Sequence, residues 1–282
     1  MFSYIILNKK HFKMIKNDII VLIPHYNDIR GLINSLKSID VAENVDILIV
    51  DDGSDTEKID ENLINTYFNC NGTILFIYQK QNMGIEYALN MGLQYILKKK
   101  YKFIARLDTG DKCVGSRFKI QRDFLNKNPD IMLIGSNVLV NNINGDLLYK
   151  IIVPTKSSTI KNKMFITSTI IHPTIMFHSE IINHIGFYPT EYKAAEDYAY
   201  YFKILKKYNF SNINQFLLEK ELNPNSISIK KRNLQTLNRV KIIIDNFYFG
   251  YYPIIGLLRN YILYLIPNNI LIFIKKQKNG KV

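Results

Sequence analysis

The first half of the chain alternates between two periods of apolar and polar positions. Short apolar runs with the length of buried strands occur at residues 19–23, 46–50, 73–78 and 103–107. Between them, apolar positions recur at helical spacing, which predicts helices near residues 30–39, 57–68 and 84–97. Asp28 is a candidate cap for the first helix, and Ser54 or Asp55 for the second. This alternation predicts βαβ units and hence an α/β fold with a mostly parallel central sheet flanked by helices.

The second half of the chain follows a looser pattern. The turn sequence Asn144-Gly145-Asp146 separates strand-like runs at residues 131–140 and 147–153, and therefore predicts a β-hairpin. Further strands are expected at residues 169–177 and 215–222, and further helices at residues 117–128, 179–185 and 196–208. We therefore expect one domain over residues 17–229, preceded by a loose extension at residues 1–16.

The charge of the 282-residue chain is unevenly distributed. Of the net charge of +13, residues 230–282 carry +9, because ten basic residues there face a single acid, Asp245. The same segment is rich in Tyr and Phe, and residues 234–248 have the pattern of an amphipathic helix. Basic, aromatic helices suit the headgroup region of a bilayer, so the tail predicts membrane-surface association. Packing of the tail on the domain and dimerisation through it remain alternatives. Nucleic acid is disfavoured because no recognised binding motif accompanies the charge.

The cellular location can also be anticipated from composition. No uninterrupted apolar run reaches the roughly 18–20 residues of a spanning helix, and residues 1–16 lack the pattern of a signal peptide. The two cysteines, Cys70 and Cys113, are far apart and favour a reducing compartment over a disulfide framework. We expect a cytoplasmic protein, peripheral on the inner face of the plasma membrane.

Four polar loops follow the four early strands, at residues 24–27, 51–54, 81–84 and 108–111. Each alone is consistent with ordinary turn chemistry. In a parallel sheet, however, all four emerge at the carboxyl edge, where ligands bind. Tyr26 offers a flat face for a base, and a carboxylate at residues 51–52 can accept from a uracil imide. The third loop opens a helix, whose N-terminus favours phosphate.

The fourth loop carries Asp108 and Asp111, two carboxylates three residues apart after a buried strand. Hard oxygen ligands of this kind suit Mg²⁺ or Mn²⁺. A divalent-metal site at this loop is therefore the favoured interpretation, and a simple turn is the alternative.

With these motifs in place, the chain resembles family 2 glycosyltransferases, the inverting nucleotide-sugar enzymes of the GT-A fold. The resemblance covers roughly residues 18–228 and excludes the tail. It is carried by the order and spacing of four motifs, at residues 21–27, 49–54, 82–90 and 105–117. It implies a UDP-sugar donor and a divalent cation.

The resemblance also assigns roles to individual residues. Pro24, Tyr26 and Asp52 match positions that hold uridine. Asp111 matches the metal ligand, with Asp108 opening the same motif. The remaining donor-binding positions are Asn27, Asp51, Asn82, Gly84 and Arg106. Where the family pattern carries a further acid this chain has Gly110, which leaves the ribose contact unassigned and the metal with fewer protein ligands.

A base must take the proton of the acceptor hydroxyl in an inverting transfer. Glu196 and Asp197 match the acidic pair of the family, and we predict Asp197 as the base with Glu196 as its neighbour. Acids that favour the dipole of a helix first turn are the alternative. His172 is interpreted as a core or strand-end histidine, or else as a contact to acceptor or diphosphate. Arg117 is either a phosphate contact or a surface charge. The cation that relatives place near residues 223–228 has no counterpart here except Lys230 and its neighbours.

These features predict an inverting glycosyltransferase that acts in bacterial surface polysaccharide (O-antigen or capsule) synthesis. The acceptor would be a saccharide linked to a polyprenyl diphosphate in the membrane. A non-catalytic sugar-nucleotide-binding or scaffold protein of the same fold is one alternative, and a glycoside hydrolase, which also uses two carboxylates, is another.

Overall fold

The computed structural model describes residues 17–222 and 231–266. The expected N-terminal extension, the segment at residues 223–230 and the last sixteen residues lie outside the described residues, and five of the ten basic residues of the tail lie there too.

A nine-stranded sheet forms the centre of the molecule, in the order β3-β2-β1-β4-β8-β6-β9-β5, with β7 paired to β6. Its strands are β1 (Ile19–His25), β2 (Asp46–Asp51), β3 (Ile74–Tyr78), β4 (Phe103–Arg106), β5 (Lys112–Cys113), β6 (Ile131–Asn141), β7 (Leu147–Ile151), β8 (Met176–His178) and β9 (Asn209–Glu221). The first four strands pair in parallel, as the alternating pattern predicts. The other half is mixed, because β8 and β7 run antiparallel to β6 while β9 runs parallel to it.

The helices cover both faces of this sheet. They are α1 (Ile29–Lys37), α2 (Glu61–Asn65), α3 (Ile85–Leu97), α4 (Arg117–Lys127), α5 (Ser157–Met164), α6 (Glu180–Ile185), α7 (Glu196–Leu205), α8 (Arg232–Asp245) and α9 (Tyr251–Leu265). Two separate apolar cores result, one on each face of the sheet. Because the parallel strands are covered on both sides, β2 is buried at all six positions.

Two predicted elements are wrong. The helix expected over residues 57–68 shortens to α2, whose cap is Asp60 rather than Ser54 or Asp55. Ser54 is used elsewhere, since its hydroxyl donates to Asp51 and accepts from the backbone of Asn27. The strand expected over residues 169–177 is a 3₁₀ turn, His172–Thr174, followed by the short β8. Pro173 lies in that turn and has no N–H for a sheet ladder.

The first part of the tail packs on the domain. Ile242 and Ile243 of α8 are fully buried in one of the two cores. In α9, a Cβ added at Gly256 would lie 2.2 Å from the Phe165 carbonyl oxygen, so the helix backbone approaches this residue closely. Among the described residues, no helix has both the length and the apolar character needed to cross a bilayer.

Candidate functional site

Hydrogen bonds join the four polar loops at the carboxyl edge of the parallel strands. The backbone N–H of Asn27 donates to Ser54 Oγ at 2.9 Å and connects the first loop to the second. Thr109 Oγ1 donates to the Pro24 carbonyl at 2.8 Å and connects the fourth loop to the first. Asp52 accepts from the backbone N–H groups of residues 83 and 84 and connects the second loop to the third. The loops therefore form one continuous surface, as parallel strands require.

The first loop presents one aromatic ring to solvent. Tyr26 is 45% exposed, whereas His25 before it is buried. Asn27 adopts a left-handed backbone (φ 47°), and its side-chain oxygen accepts from the backbone of residues 55, 56 and 57 at 3.2 Å. An asparagine tolerates this conformation better than most residues. Asn27 therefore shapes the loop and leaves Tyr26 on its surface.

Both acids of the second loop are buried, and both accept hydrogen bonds from within the protein. Asp51 accepts a 2.5 Å bond from Ser54 Oγ. Each carboxylate oxygen of Asp52 accepts one N–H at 2.9 Å, from Met83 and from Gly84. Burial nevertheless raises the pKa of Asp52, against the effect of these two bonds. Because a carboxylate oxygen accepts more than one hydrogen bond, Asp52 retains capacity for a ligand N–H.

The third loop leads into α3. Gly84 is the N-cap of this helix and has φ 109°, a conformation that L side chains rarely adopt. Asn82 is exposed two residues before it. The first-turn N–H groups of α3 therefore begin beside Asp52, at the position predicted for phosphate.

The fourth loop is fixed by a buried arginine and by α1. Arg106 is fully buried, donating to the Leu22 carbonyl at 3.0 Å and to Asp108 at 2.5 Å. Ser35 Oγ of α1 donates to the carbonyl of Asp111 and accepts from the N–H of Gly110. Arg106 therefore has no exposed surface with which to contact a donor, and it acts on the site by holding Asp108.

Asp108 and Asp111 have opposite electrostatic environments. Burial opposes ionisation of Asp108, but Arg106 and the surrounding cations outweigh it and keep its pKa below the usual range. Burial, reinforced by the negative charge of Asp108, raises the pKa of Asp111 to about 7. The Oδ2 atom of Asp111 is buried and accepts no hydrogen bond from the described residues. A buried carboxylate oxygen without a donor fits a hard divalent cation.

A cationic residue that the sequence analysis missed lies beside this carboxylate. Lys220 Nζ of β9 is 3.6 Å from Asp111 Oδ2, and its side chain is 40% exposed. Of the cations that the sequence offered for a diphosphate contact, Lys230 lies outside the described residues. Lys231 precedes α8, and Arg232 donates to the carbonyls of Leu263 and Ile266. The sequence contains only a weak signal for Lys220, because it is one lysine in a predicted strand. Its neighbours become known only once β9 is paired with β5.

Gly110, which stands where the family pattern has a further acid, adopts a left-handed backbone conformation. Gly110 has φ +92°, which strains any L side chain, although a Cβ there would meet only Asp28 Oδ2, at 3.8 Å. Within the described ranges, no cluster of three or more His, Cys, Asp or Glu side chains is arranged to hold a metal alone. A cation at Asp111 and Asp108 would therefore take its remaining ligands from donor phosphates and water.

Arg117 is neither a phosphate contact nor a surface charge, so both predicted roles are wrong. It is fully buried, and its guanidinium donates to the carbonyls of Arg106 and Pro173 at 2.7 Å and to Gln121 at 3.1 Å. This arginine ties β4 to the 3₁₀ turn. It anchors the backbone beneath the two aspartates.

Glu196 and Asp197 open α7, preceded by a strained residue. Ala194 has a positive φ of 62°. Its carbonyl accepts from Gln235 of α8 at 2.8 Å, and the carbonyl of Lys193 accepts from Asn238 at 2.8 Å. The first helix of the tail therefore holds the backbone that leads into the acidic pair.

The two acids of this pair differ in exposure. Glu196 is 6% exposed, and its Oε2 atom has no hydrogen-bond partner among the described residues. Burial, and then the charge of Asp197, raise the pKa of Glu196 to about 8. Asp197 is half-buried and accepts from the backbone N–H of Tyr198 at 2.6 Å. Glu196 is therefore neutral near pH 7.

His172 is a buried residue of the 3₁₀ turn. It is 8% exposed, and its Nε2 atom lies 2.9 Å from the Tyr188 hydroxyl. Burial and the nearby Arg106 lower its pKa to about 4, while Asp197 and Asp108 oppose this effect. The interpretation as a core histidine is confirmed, and the ring of His172 lies 6.2 Å from that of Tyr201 in α7.

Comparison with known proteins identifies the class that this fold and these loops define. Residues 20–186, more than half of the chain, match the family model described as glycosyl transferase family 2. The chain therefore belongs to glycosyl transferase family 2 and is a glycosyltransferase. The glycoside hydrolase alternative is excluded as a class.

Three relatives show the range of the similarity. The bifunctional glycosyltransferase pgtA of Dictyostelium discoideum is 30% identical over 241 residues, 73% of this chain, but the match spans only 31% of that protein. An uncharacterized glycosyltransferase of Methanocaldococcus jannaschii is 28% identical over 78% of this chain and 77% of its own length. A UDP-Gal:α-D-GlcNAc-diphosphoundecaprenol β-1,3-galactosyltransferase of Escherichia coli is 29% identical over 62% of each chain.

Solved structures share the fold at low sequence identity. The mannosyltransferase PcManGT from Pyrobaculum calidifontis, in complex with GDP-Man and Mn²⁺, aligns with a TM-score of 0.59 over 96% of this chain and 77% of that one, at 13% identity. TarS (residues 1–349) from S. aureus aligns with a TM-score of 0.58 over 89% and 74%, at 15% identity. The predicted GT-A fold is confirmed.

Proposed function

We propose that this glycosyltransferase is an inverting enzyme that moves a sugar from a UDP-sugar to a saccharide acceptor. The observation that carries the proposal is the meeting of two acidic pairs at one sheet edge. The 3₁₀ turn connects them. Hydrogen bonds from Arg106 and Arg117 hold the turn beside β4, just before Asp108, and the ring of His172 lies 6.2 Å from that of Tyr201 in α7. The first pair belongs to the fourth of the loops predicted for the donor, and the second opens α7, the helix predicted to face the acceptor.

The donor side has the groups that a nucleoside diphosphate needs. Tyr26 offers an exposed ring for the base, and Asp52 retains acceptor capacity for an imide N–H. The first turn of α3 suits phosphate. Among the similar proteins, the E. coli relative is named for UDP-Gal, and a TarS structure is titled as a complex with UDP-GlcNAc. These names support a UDP-sugar. PcManGT was solved with GDP-Man, so the identity of the nucleotide base, uracil or guanine, has to be tested.

We further propose Mg²⁺ or Mn²⁺ at Asp111, with Asp108 in support. Bound there, the cation would neutralise the charge that develops on the departing diphosphate. The residues present contribute the rest of the electrostatics. Arg106 keeps Asp108 ionised, and Ser35 fixes the backbone that carries Asp111.

Asp197 is proposed as the base. In an in-line displacement, the acceptor oxygen forms a bond to the anomeric carbon as the bond to the β-phosphate oxygen breaks, and the acceptor proton passes to Asp197. UDP leaves as the other product. Because Glu196 holds its own proton near pH 7, Asp197 is the member of the pair that is available to accept one.

The acceptor is proposed to be carried by a membrane lipid diphosphate, as in the name of the E. coli relative. The tail presents a matching surface, an exposed apolar stripe on α9 that we call the α9 stripe. Its members recur every three or four residues and are 45% or more exposed: Tyr251, Ile254, Leu258, Tyr261 and Leu265. An apolar face of this kind beside a cationic tail supports a peripheral position on the inner face of the plasma membrane, in surface polysaccharide synthesis.

A donor screen tests the reaction. The protein is incubated with UDP- and GDP-sugars with and without Mn²⁺, and release of the nucleoside diphosphate is measured. We expect release from at least one UDP-sugar, dependent on the metal, and binding of UDP by calorimetry. Binding of UDP without turnover under any acceptor would favour the non-catalytic scaffold, and release only from GDP-sugars would refute the UDP assignment.

Vesicle sedimentation tests the membrane surface. Deleting residues 234–282 would expose the core that Ile242 and Ile243 complete, so point changes on the α9 stripe are sharper. We expect Leu258→Ser with Tyr261→Ser to release the protein from vesicles that contain anionic lipid. The matched control is Ile143→Asn with Ile152→Asn, two residues that are 75% and 71% exposed and lie outside the tail. Equal binding of both double variants would refute the tail as the membrane contact.

A further inference from the structure

Lys220 and Asp111 form an ion pair at the position where the metal is proposed to bind. Lys220 Nζ lies 3.6 Å from Asp111 Oδ2, the oxygen that accepts no hydrogen bond from the described residues. This separation is longer than a hydrogen bond, so charge attraction holds the two groups together. The lysine therefore balances the aspartate without occupying its lone pairs.

A divalent cation on Asp111 would change this arrangement. A cation bound to the Oδ2 atom would stand within a few ångströms of the ammonium group, and like charges at such a distance repel strongly in a partly buried site. Lys220 can respond, because its side chain is 40% exposed and its four-carbon stem is flexible. The ammonium group is then free for the nearest anion of the ligand.

The other cations near the two aspartates lack this freedom. Arg106 is fully buried and is committed to the Leu22 carbonyl and to Asp108. Arg117 is fully buried and is committed to two backbone carbonyls. In the part of the chain that the structure describes, Lys220 differs from both by having a charged group that reaches the site and can move within it.

We propose that Lys220 pairs with Asp111 as long as no divalent cation is bound there, and that it contacts the donor diphosphate once a cation takes its place beside Asp111. The inference rests on the proposed donor site and adds a residue to it. Lys220 thus has two opposite effects on affinity. It weakens binding of the metal when no donor is present, and it strengthens binding of the metal together with a nucleoside diphosphate.

Binding measurements separate these two effects without any need for turnover. Free Mn²⁺ is titrated by electron paramagnetic resonance, and UDP and uridine are titrated by calorimetry in saturating Mn²⁺. For Lys220→Met we expect Mn²⁺ alone to bind about threefold tighter or more, since a competing charge is lost. We expect UDP to bind about tenfold weaker, as for the loss of a charged hydrogen bond. Uridine, which lacks phosphate, should bind as it does to the wild type.

Two further variants control the comparison. Lys220→Arg keeps the charge, and its affinities for Mn²⁺ and UDP should stay within about threefold of the wild type. Lys112→Met makes the same change of charge at an exposed position next to Asp111 in sequence, and it should leave all three titrations unchanged. Lys220→Gln provides a second uncharged side chain if the methionine variant proves unstable by circular dichroism.

The outcomes distinguish this inference from the proposed function. Wild-type protein that binds UDP, together with a Lys220→Met variant that matches it in every titration, would overturn the inference and leave the proposed function intact. Equal weakening of UDP and uridine would also overturn the diphosphate contact. Wild-type protein that binds no UDP would refute the proposed donor, and with it the diphosphate contact.

Discussion

The two acidic pairs of the site balance their charge in different ways. Asp108 and Asp111 are each paired with a cation, Arg106 at 2.5 Å and Lys220 at 3.6 Å. Glu196 and Asp197 have no ion pair within residues 17–222 and 231–266, and there burial raises the pKa of Glu196 to about 8. Each acid of the first pair therefore has a cationic partner, whereas in the second pair Glu196 has none and retains its proton near pH 7.

This difference suits the two halves of a glycosyl transfer. A site that must bind a cation and a diphosphate needs carboxylates held in fixed positions beside positive charge, as the buried Arg106 holds Asp108. A site that must accept a proton needs a carboxylate close to a neutral neighbour, because two charges side by side disfavour each other. Substitutions at the two pairs and at the residues beside them test this contrast.

Exchanging one acid of each pair for its amide should separate binding from chemistry. Asp197→Asn should lower kcat by about 10²- to 10⁴-fold, the usual contribution of a general base, with little change in UDP affinity. Asp111→Asn should weaken Mn²⁺-dependent UDP binding as well as turnover. Calorimetry and steady-state kinetics measure the two effects, with the exposed Asp123→Asn as a control. Unchanged turnover in Asp197→Asn would sink the assignment of the base.

Removing the arginine of the donor-side pair should destabilise the fold. Arg106→Met leaves Asp108 without its buried partner, so we expect a loss of about 3 kcal/mol in the free energy of unfolding. Arg122, which pairs with Asp18 at 3.8 Å near the surface, is the control, and Arg122→Met should cost about 0.5 kcal/mol or less. Urea titrations measure both variants. Similar losses would mean that Arg106 is not the main counter-charge of the site.

The acceptor-side pair should show its retained proton in the pH dependence of stability. Between its ordinary pKa of 4.5 and the folded value of about 8, Glu196 is protonated when folded and ionised when unfolded. Unfolding then releases a proton, so this group makes the free energy of unfolding fall as pH rises through that window. Glu196→Gln lacks the effect and should match the wild type near pH 5, but exceed it by on the order of 2 to 4 kcal/mol at pH 9. Because Asp111 is present in both proteins, its titration affects both profiles equally. Parallel profiles of the free energy of unfolding against pH would contradict the prediction.

The smallest effects are expected at two residues with left-handed backbones, one beside each pair. Gly110→Ala should destabilise by about 1 kcal/mol, because φ +92° strains a side chain although space is available for the Cβ atom. Ala194→Gly should have the opposite sign or no effect, with a gain of at most about 1 kcal/mol. Chemical denaturation measures both changes. A gain for Gly110→Ala would show that the loop relaxes to another conformation.

Local patterns predicted the parallel half of the fold well. The strands at residues 19–23, 46–50 and 103–107 agree with β1, β2 and β4 to within two residues at each end, and Asp28 caps α1 as expected. The pattern failed where tertiary contacts replaced local ones. Ser54 was expected to cap a helix but instead holds Asp51 and the first loop. Such a choice depends on which loop lies opposite, and hydrophobic periodicity carries no information about it.

The predicted sites divide in the same way. Asp108, Asp111, Glu196 and Asp197 could be selected from sequence, because acids at a strand end and at a helix start are local features. Arg106 was selected as a donor contact, but burial leaves it only Asp108 and a backbone carbonyl. The sequence does not show which groups an arginine contacts, and therefore gives no indication of whether it is buried. It could not separate the buried arginines from those on the surface.

The order of apolar runs along the chain dictates strand direction, and it is enough to predict that four polar loops meet at one edge of a parallel sheet. How the charges at that edge are balanced depends on tertiary contacts. Lys220 reaches Asp111 because β9 pairs with β5, and Gln235 reaches Ala194 because α8 packs beside α7. These contacts join residues far apart in the chain, and they depend on burial and on strand order rather than on any local preference.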